Sequence, residues 1–158
     1  MKLQDYVIDA TKKAAEEVFR YAKAAPADRA AWKPLDEGRS ILDLTRELAK
    51  TPDWAYETVF VETASEWNEE VMAAQRAEME SWKTIEECET QCFQRLERFF
   101  EAVRQLPDEQ LSKTKWLPYE GGRDYTIAEM LEYPRWNFNY HLGQIAYIQI
   151  LYGDREMH

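Results

Sequence analysis

Asn137 and His141 stand four residues apart in the run Arg135-Trp-Asn-Phe-Asn-Tyr-His-Leu-Gly-Gln-Ile-Ala-Tyr147. Residues at that spacing project from one side of a helix. An amide and an imidazole therefore share a face that is otherwise apolar. Such groups, joined by a carboxylate, are what a helical bundle uses to hold a divalent cation or to close a buried polar cluster. His141 is the one interior histidine, since the other occupies position 158. Other chemistry is thinly represented. Serines 40, 65, 81 and 112 lack the Gly-x-Ser-x-Gly setting of a hydrolase elbow, and there is no Gly-rich phosphate loop or dinucleotide fingerprint. Cys88 and Cys92 read as two small core hydrophobes kept reduced, because a disulfide between residues four apart would distort a helix. No second cysteine pair completes a Cys-x-x-x-Cys metal half-site.

Four amphipathic segments must position these residues. The first stripe runs Leu3, Tyr6/Val7, Ala10, Ala14, Val18, Tyr21 and Ala25, and Pro26 ends it. Residues 27–39, with Trp32, Pro34 and Gly38, read as an ordered loop. Ser40 and Asp43 have capping-box form and open a second helix through Ile41, Leu44, Leu48, Ala55 and Val59. Pro52 inside it predicts a kink or a split. Residues 62–83 are acidic and weakly periodic, a solvated connection with a short helix. Thr84 and Glu87 box the third helix, whose stripe of Ile85, Cys88, Cys92, Leu96, Phe99, Val103 and Leu106 stops at Pro107. Residues 107–125 form the longest irregular stretch, either a functional loop or a segment that packs an aromatic such as Trp116 over the bundle end, and no strand pattern competes. Thr126 and Glu129 then box the last helix, running through Ile127, Leu131, Pro134, Phe138, His141, Ile145, Ile148 and Tyr152 to Gly153. The pattern predicts a single all-α domain over 1–158. Its expected architecture is an antiparallel four-helix bundle with a short extra helix between the second and third. Its core should include Val7, Ala14, Val18, Leu44, Leu48, Cys92, Leu96, Phe99, Phe138, Ile145 and Ile148.

Composition narrows the function. The chain of 158 residues is 45% hydrophobic and 32% charged, with six Trp and nine Tyr as bulky core and pocket material. Five Gly are too few for a loop-rich all-β fold. A formal net charge of -10 without a basic cluster opposes binding to nucleic acid or to an anionic membrane surface. Lys2, Asp5 and Asp9 interrupt any signal-peptide core, and no segment is apolar enough to span a bilayer, so the cytoplasm is the expected compartment.

Three stretches carry a family resemblance. They are Trp32-Lys-Pro with Glu37-Gly-Arg-Ser-Ile-Leu-Asp-Leu44, then Thr45-Arg-Glu-Leu-Ala49, and finally His141-Leu-Gly-Gln-Ile145 with Leu151-Tyr-Gly153. With the helix order they cover nearly the whole chain, which resembles the DinB-like superfamily of four-helix bundles, related to metal-dependent thiol transferases. The resemblance implies a divalent metal, nickel or zinc, held by three histidines, one on the second helix and two on the last. Mapped here, those positions are Glu47, Asn137 and His141, so the chain carries a degenerate histidine triad. A carboxylate, an amide oxygen and one imidazole would bind a cation more weakly than three imidazoles and lean towards oxygen-preferring ions. The alternative is a closed hydrogen-bond set in which Glu47 and His141 pair.

Three functions fit these residues. One is a metal-dependent enzyme of the thiol-transferase or isomerase kind. A second is a non-catalytic binder of an unidentified small molecule, with a bundle-end pocket lined by Trp54, Tyr56, Trp136 and Tyr140. The third is a structural homodimer. Arg39 is either an anion-orienting group at the start of the second helix or a surface ion-pair partner.

Overall fold

Three of the helices begin where the chain supplies its own capping box. In the computed structural model, which describes residues 1–35, 37–62 and 68–158, the elements are α1 (Leu3–Lys23), α2 (Ile41–Phe60), α3 (Glu69–Ser81), α4 (Ile85–Gln105), β1 (Thr114–Leu117), β2 (Arg123–Thr126), α5 (Ile127–Leu131) and α6 (Tyr133–Leu151). Ser40, Thr84 and Thr126 each accept from the backbone N–H three residues on, and Asp43, Glu87 and Glu129 reach back to the cap. Reciprocal capping satisfies donors the first helical turn would leave orphaned. The protein is an all-α four-helix bundle of α1, α2, α4 and α6, with α3 as the short extra helix.

The direction of the helices follows from their cross-contacts. Gln149 donates to the Tyr21 carbonyl and Arg135 to the Tyr6 hydroxyl, so α6 and α1 run the same way. Cys92 meets the Leu48 carbonyl and Arg95 meets Asp53, so α4 and α2 also run together. The antiparallel pairs are α1 with α4, through Phe19–Phe93 and Gln4–Leu106, and α2 with α6. Consecutive helices α1 and α2 are diagonal rather than adjacent, and the 24–40 connection crosses the bundle end. Returning from the end of α2 to a parallel α4 needs a long connection. α3 runs back beside α2 to supply it, fastened by Glu78 to Lys50 (3.0 Å) and Arg95 (2.6 Å) and by Gln75 to the Trp54 indole (3.1 Å).

Three local expectations are corrected. Of the kink or split expected at Pro52, the split does not occur, since α2 continues through it. The ring removes the N–H that would bond Leu48, and the buried Cys92 thiol donates to that freed carbonyl at 3.4 Å. The stretch after Pro107 contains an antiparallel hairpin, with Lys115 opposite Tyr125 and Trp116 opposite Asp124. Gly121 and Gly122 turn it with φ of 88° and 87°, a region open to glycine. Trp116 lies 62% exposed on this hairpin rather than over the bundle end, and a Cβ on Gly122 would come within 2.7 Å of its indole. Finally, the last helical segment is two helices, broken between α5 and α6, with Pro134 in the first turn of α6 where its missing N–H costs least.

The core is built from the expected stripes. Val7, Val18, Leu48, Cys92, Leu96, Phe99, Phe138 and Ile145 are fully buried, and Ala14, Leu44 and Ile148 nearly so. Cys88 and Cys92 are free and buried. Among the described residues, no helix is long and apolar enough to cross a membrane.

Candidate functional site

Where antiparallel α2 and α6 meet, polar side chains interrupt the core. His141 is 2% exposed, Asn137 4%, and Thr51 fully buried. His141 Nε2 lies 2.9 Å from Glu47 Oε1, and its Nδ1 lies 2.6 Å from Gln144 Oε1 on the next turn of α6. Arg39, in the connection leading to α2, donates through Nη1 to Glu47 Oε2 at 2.6 Å. The Thr51 hydroxyl donates to Asn137 Oδ1 at 2.8 Å. Each of the three residues is therefore gripped from one side. Glu47 is held by Arg39, His141 by Gln144 and Asn137 by Thr51.

The protonation pattern is constrained by these contacts. In the neutral ring one nitrogen carries the proton and the other a lone pair, and the Gln144 amide has a group to meet either. With the proton on Nε2, His141 donates to Glu47; with it on Nδ1, Nε2 presents a lone pair beside the carboxylate, the arrangement of two metal ligands. Burial alone would raise the Glu47 carboxyl. The His141 hydrogen bond and the charges of Arg39 and His141 outweigh burial and hold it at about 2. Burial pushes the Tyr133 phenol up to about 12, and the charge of Glu47 adds to that, which puts Tyr133 at the edge of the same site.

Among the described residues, no cluster of three His, Cys, Asp or Glu side chains is placed to hold a metal. The donors here are one imidazole, one carboxylate and one amide oxygen. They still suit a divalent cation of the oxygen- and nitrogen-accepting kind. Two donors on an octahedral ion at ~2.1 Å stand roughly 3 Å apart, which is the separation of Nε2 and Oε1. The far atom of each has the outer partner that ligands in metal sites need.

The four aromatic residues expected around a pocket separate into two groups. Tyr140 leans edge-on against His141 (5.3 Å, 77°), and Trp136 stacks on Tyr140 (5.3 Å, 17°). Both are more than half exposed, so they border the site from outside. Trp54 is turned to α3, donating to Gln75, and Tyr56 is turned to α4, beneath Arg98 (4.0 Å) and beside Phe60. Two open hollows, one beside Pro34 and Leu35 and one beside Trp82 and Thr90, include none of Glu47, Asn137 or His141 in their linings. Ser65 lies outside the described residues. Neither thiol is a nucleophile in waiting. Burial pushes Cys88 up to about 11 and Cys92 well above the ordinary thiol range.

Thr51 and Gln144 went unread in the sequence, although spacing flagged both. Thr51 is one turn past Glu47, and Gln144 one turn past His141.

No protein-family profile matches the chain, and no curated protein matches it. Solved structures do. YfiT from Bacillus subtilis, described as a probable metal-dependent hydrolase with an unusual four-helix bundle topology, superposes with a TM-score of 0.71 at 13% identity, over 95% of this chain and 87% of its own. An uncharacterised protein from Escherichia coli UTI89 gives 0.67 at 16% identity, covering 97% and 96%. A conserved protein from Enterococcus faecalis gives 0.64 at 18%, covering 96% and 97%. At these identities the likeness shows a shared fold alone.

Proposed function

We propose that this protein is a DinB-like bundle that binds one divalent cation through Glu47 and His141, with Asn137 as a third, neutral oxygen ligand. It would use that ion on a small molecule. The observation that carries the reading is the 2.9 Å approach of the buried His141 Nε2 to Glu47 Oε1 across antiparallel α2 and α6. The fold shared with YfiT, itself described as a probable metal-dependent hydrolase, supports the reaction class.

When bound, the cation would supply Lewis-acid polarisation and acidify a water. The chain's own residues do the rest. Gln144 fixes the turn of the imidazole. Arg39 keeps the Glu47 carboxylate ionised and oriented, and Thr51 leaves Asn137 one free lone pair. Trp136 and Tyr140 offer stacked rings where a ligand would enter from solvent. Buried free thiols suit a reducing cytoplasm.

Calorimetric titration of chelator-stripped protein with manganese, zinc and nickel ions tests this. One-to-one binding is expected, abolished by His141→Ala, reduced by Glu47→Gln, and weakening as acid protonates the ring. Folded protein that takes up none of the three ions would overturn the metal reading. A second reading rests on a separate observation: Arg39 already neutralises Glu47 at 2.6 Å. There Nε2 of His141 donates to Glu47 and the cluster is a closed structural set. His141→Ala would then destabilise the fold by leaving Glu47 without that partner, while chelator-stripped wild type takes up no ion.

A further inference from the structure

Tyr133 opens α6 and stands one helical turn before Asn137 and two before His141, so all three project from the same side of the helix. Its ring is half-buried against the core and stacks on Trp136 at 6.3 Å and 26°. Trp136 stacks in turn on Tyr140 at 5.3 Å and 17°, which makes a row of three rings along one rim of the polar site. Tyr119, from the turn between β1 and β2, and Glu47, from α2, both lie near enough to act on the Tyr133 phenol. The rest of the site has partners. Glu47, Asn137 and His141 are each held by a neighbour, whereas among the described residues no hydrogen bond engages the Tyr133 hydroxyl. Nor is that hydroxyl sealed in the core, as the unpartnered Gln4 Oε1, Thr11 Oγ1 and Tyr152 hydroxyl are. A phenol pushed up to about 12 keeps its proton at neutral pH and is therefore offered as a donor.

We propose that the Tyr133 hydroxyl donates to the carbonyl oxygen of a planar, uncharged small molecule seated against this row of rings beside Glu47 and His141. The proposal rests on the reading of the site as one that receives a small molecule, and it names the chemical class: amides, esters and conjugated ketones. Planarity follows from the rings, since a flat ligand gains offset or edge contacts on aromatic faces that a branched one cannot. Neutrality follows from charge. Glu47 stays ionised down to about 2, and Arg39, at 2.6 Å, is already engaged with it. A ligand carboxylate at the Tyr133 hydroxyl would face that like charge in a partly desolvated setting, on a chain of net charge -10. A carbonyl oxygen accepts the same hydrogen bond without the repulsion. Tyr133 would thus decide specificity, because a ligand lacking the acceptor leaves the phenol unpaired once the rings are covered.

Proton–nitrogen correlation NMR of the chelator-stripped full chain, titrated with benzamide and separately with benzoate, tests this. The two probes share a ring and a carbonyl carbon and differ in charge. Benzamide is expected to shift the Tyr133, Trp136 and Tyr140 signals, with affinity weakened about fivefold in Tyr133→Phe, which keeps the ring and loses one hydrogen bond. Benzoate should bind wild type at least roughly tenfold more weakly than benzamide, a comparison that needs no variant. Benzamide that leaves those three signals unmoved overturns the proposal. Equal benzamide affinity in Tyr133→Phe overturns it too, as does benzoate bound as well as benzamide. No ion is present in this titration, so its failure would leave cation uptake by Glu47 and His141 untouched. Failure of the protein to take up a cation would likewise leave a positive result here standing.

Discussion

Glu47 shows how one residue ties the site to the stability of the fold. Its carboxyl is held at about 2 in the folded protein against an ordinary 4.5. The depressed value means that ionised Glu47 stabilises the native state above pH ~4.5, and that this contribution is lost as pH falls towards 2. A shift of this size is worth on the order of 3 kcal/mol. In metal-free protein, Glu47→Gln should therefore lower unfolding stability by roughly that amount at pH 7 and by little near pH 2, measured by urea titration at both pH values. An equal loss at both would show that Glu47 acts by packing and not by charge. Sequence spacing made Asn137 and His141 legible as a pair. Glu47 became a candidate through family resemblance, and its contact with His141 needed the antiparallel approach of α2 to α6. Thr51 and Gln144 were hidden because threonine and glutamine serve so many unrelated roles that their types alone mark nothing.

At the scale of elements, the capping boxes at Ser40, Thr84 and Thr126 were legible because their chemistry is local. The hairpin was not. Its four-residue strands have little apolar alternation, and their pairing depends on the Gly121-Gly122 turn and on Trp116 lying over Gly122. α3 is a different case. It forms as a helix, yet none of its residues is buried, and polar fastenings hold it to the bundle. Local opening free energy follows buried apolar contact. Hydrogen exchange should therefore find α3 exchanging well before α1, α2, α4 and α6, and Glu78→Ala should speed α3 alone by removing its ties to Lys50 and Arg95. Protection of α3 equal to that of α4 would contradict this account.

The whole molecule depends on which helices are neighbours, and amphipathic stripes do not record that. A stripe shows which face is buried but not whether the partner runs parallel, so the parallel seam of α2 with α4 emerged only from paired contacts such as Leu48 with Cys92 and Asp53 with Arg95. That seam is the broadest helix contact of the bundle, and Phe99 packs where α2 ends. The ring is fully buried on α4, 6.1 Å from Phe60 of α2 at 63° and 6.1 Å from Phe100 at 53°. Phe99→Ala should then cost about 3–5 kcal/mol, since lost transfer energy and an unfilled cavity add. For a domain of this size that corresponds to a fall of roughly 10 °C in Tm. Tyr147→Ala, on the uncharged outer face of α6, should leave the melting of dilute protein nearly unchanged. Calorimetry on both variants separates the seam from the surface. If Phe99→Ala melts within a degree or two of wild type, the parallel α2–α4 seam is not what holds the bundle together.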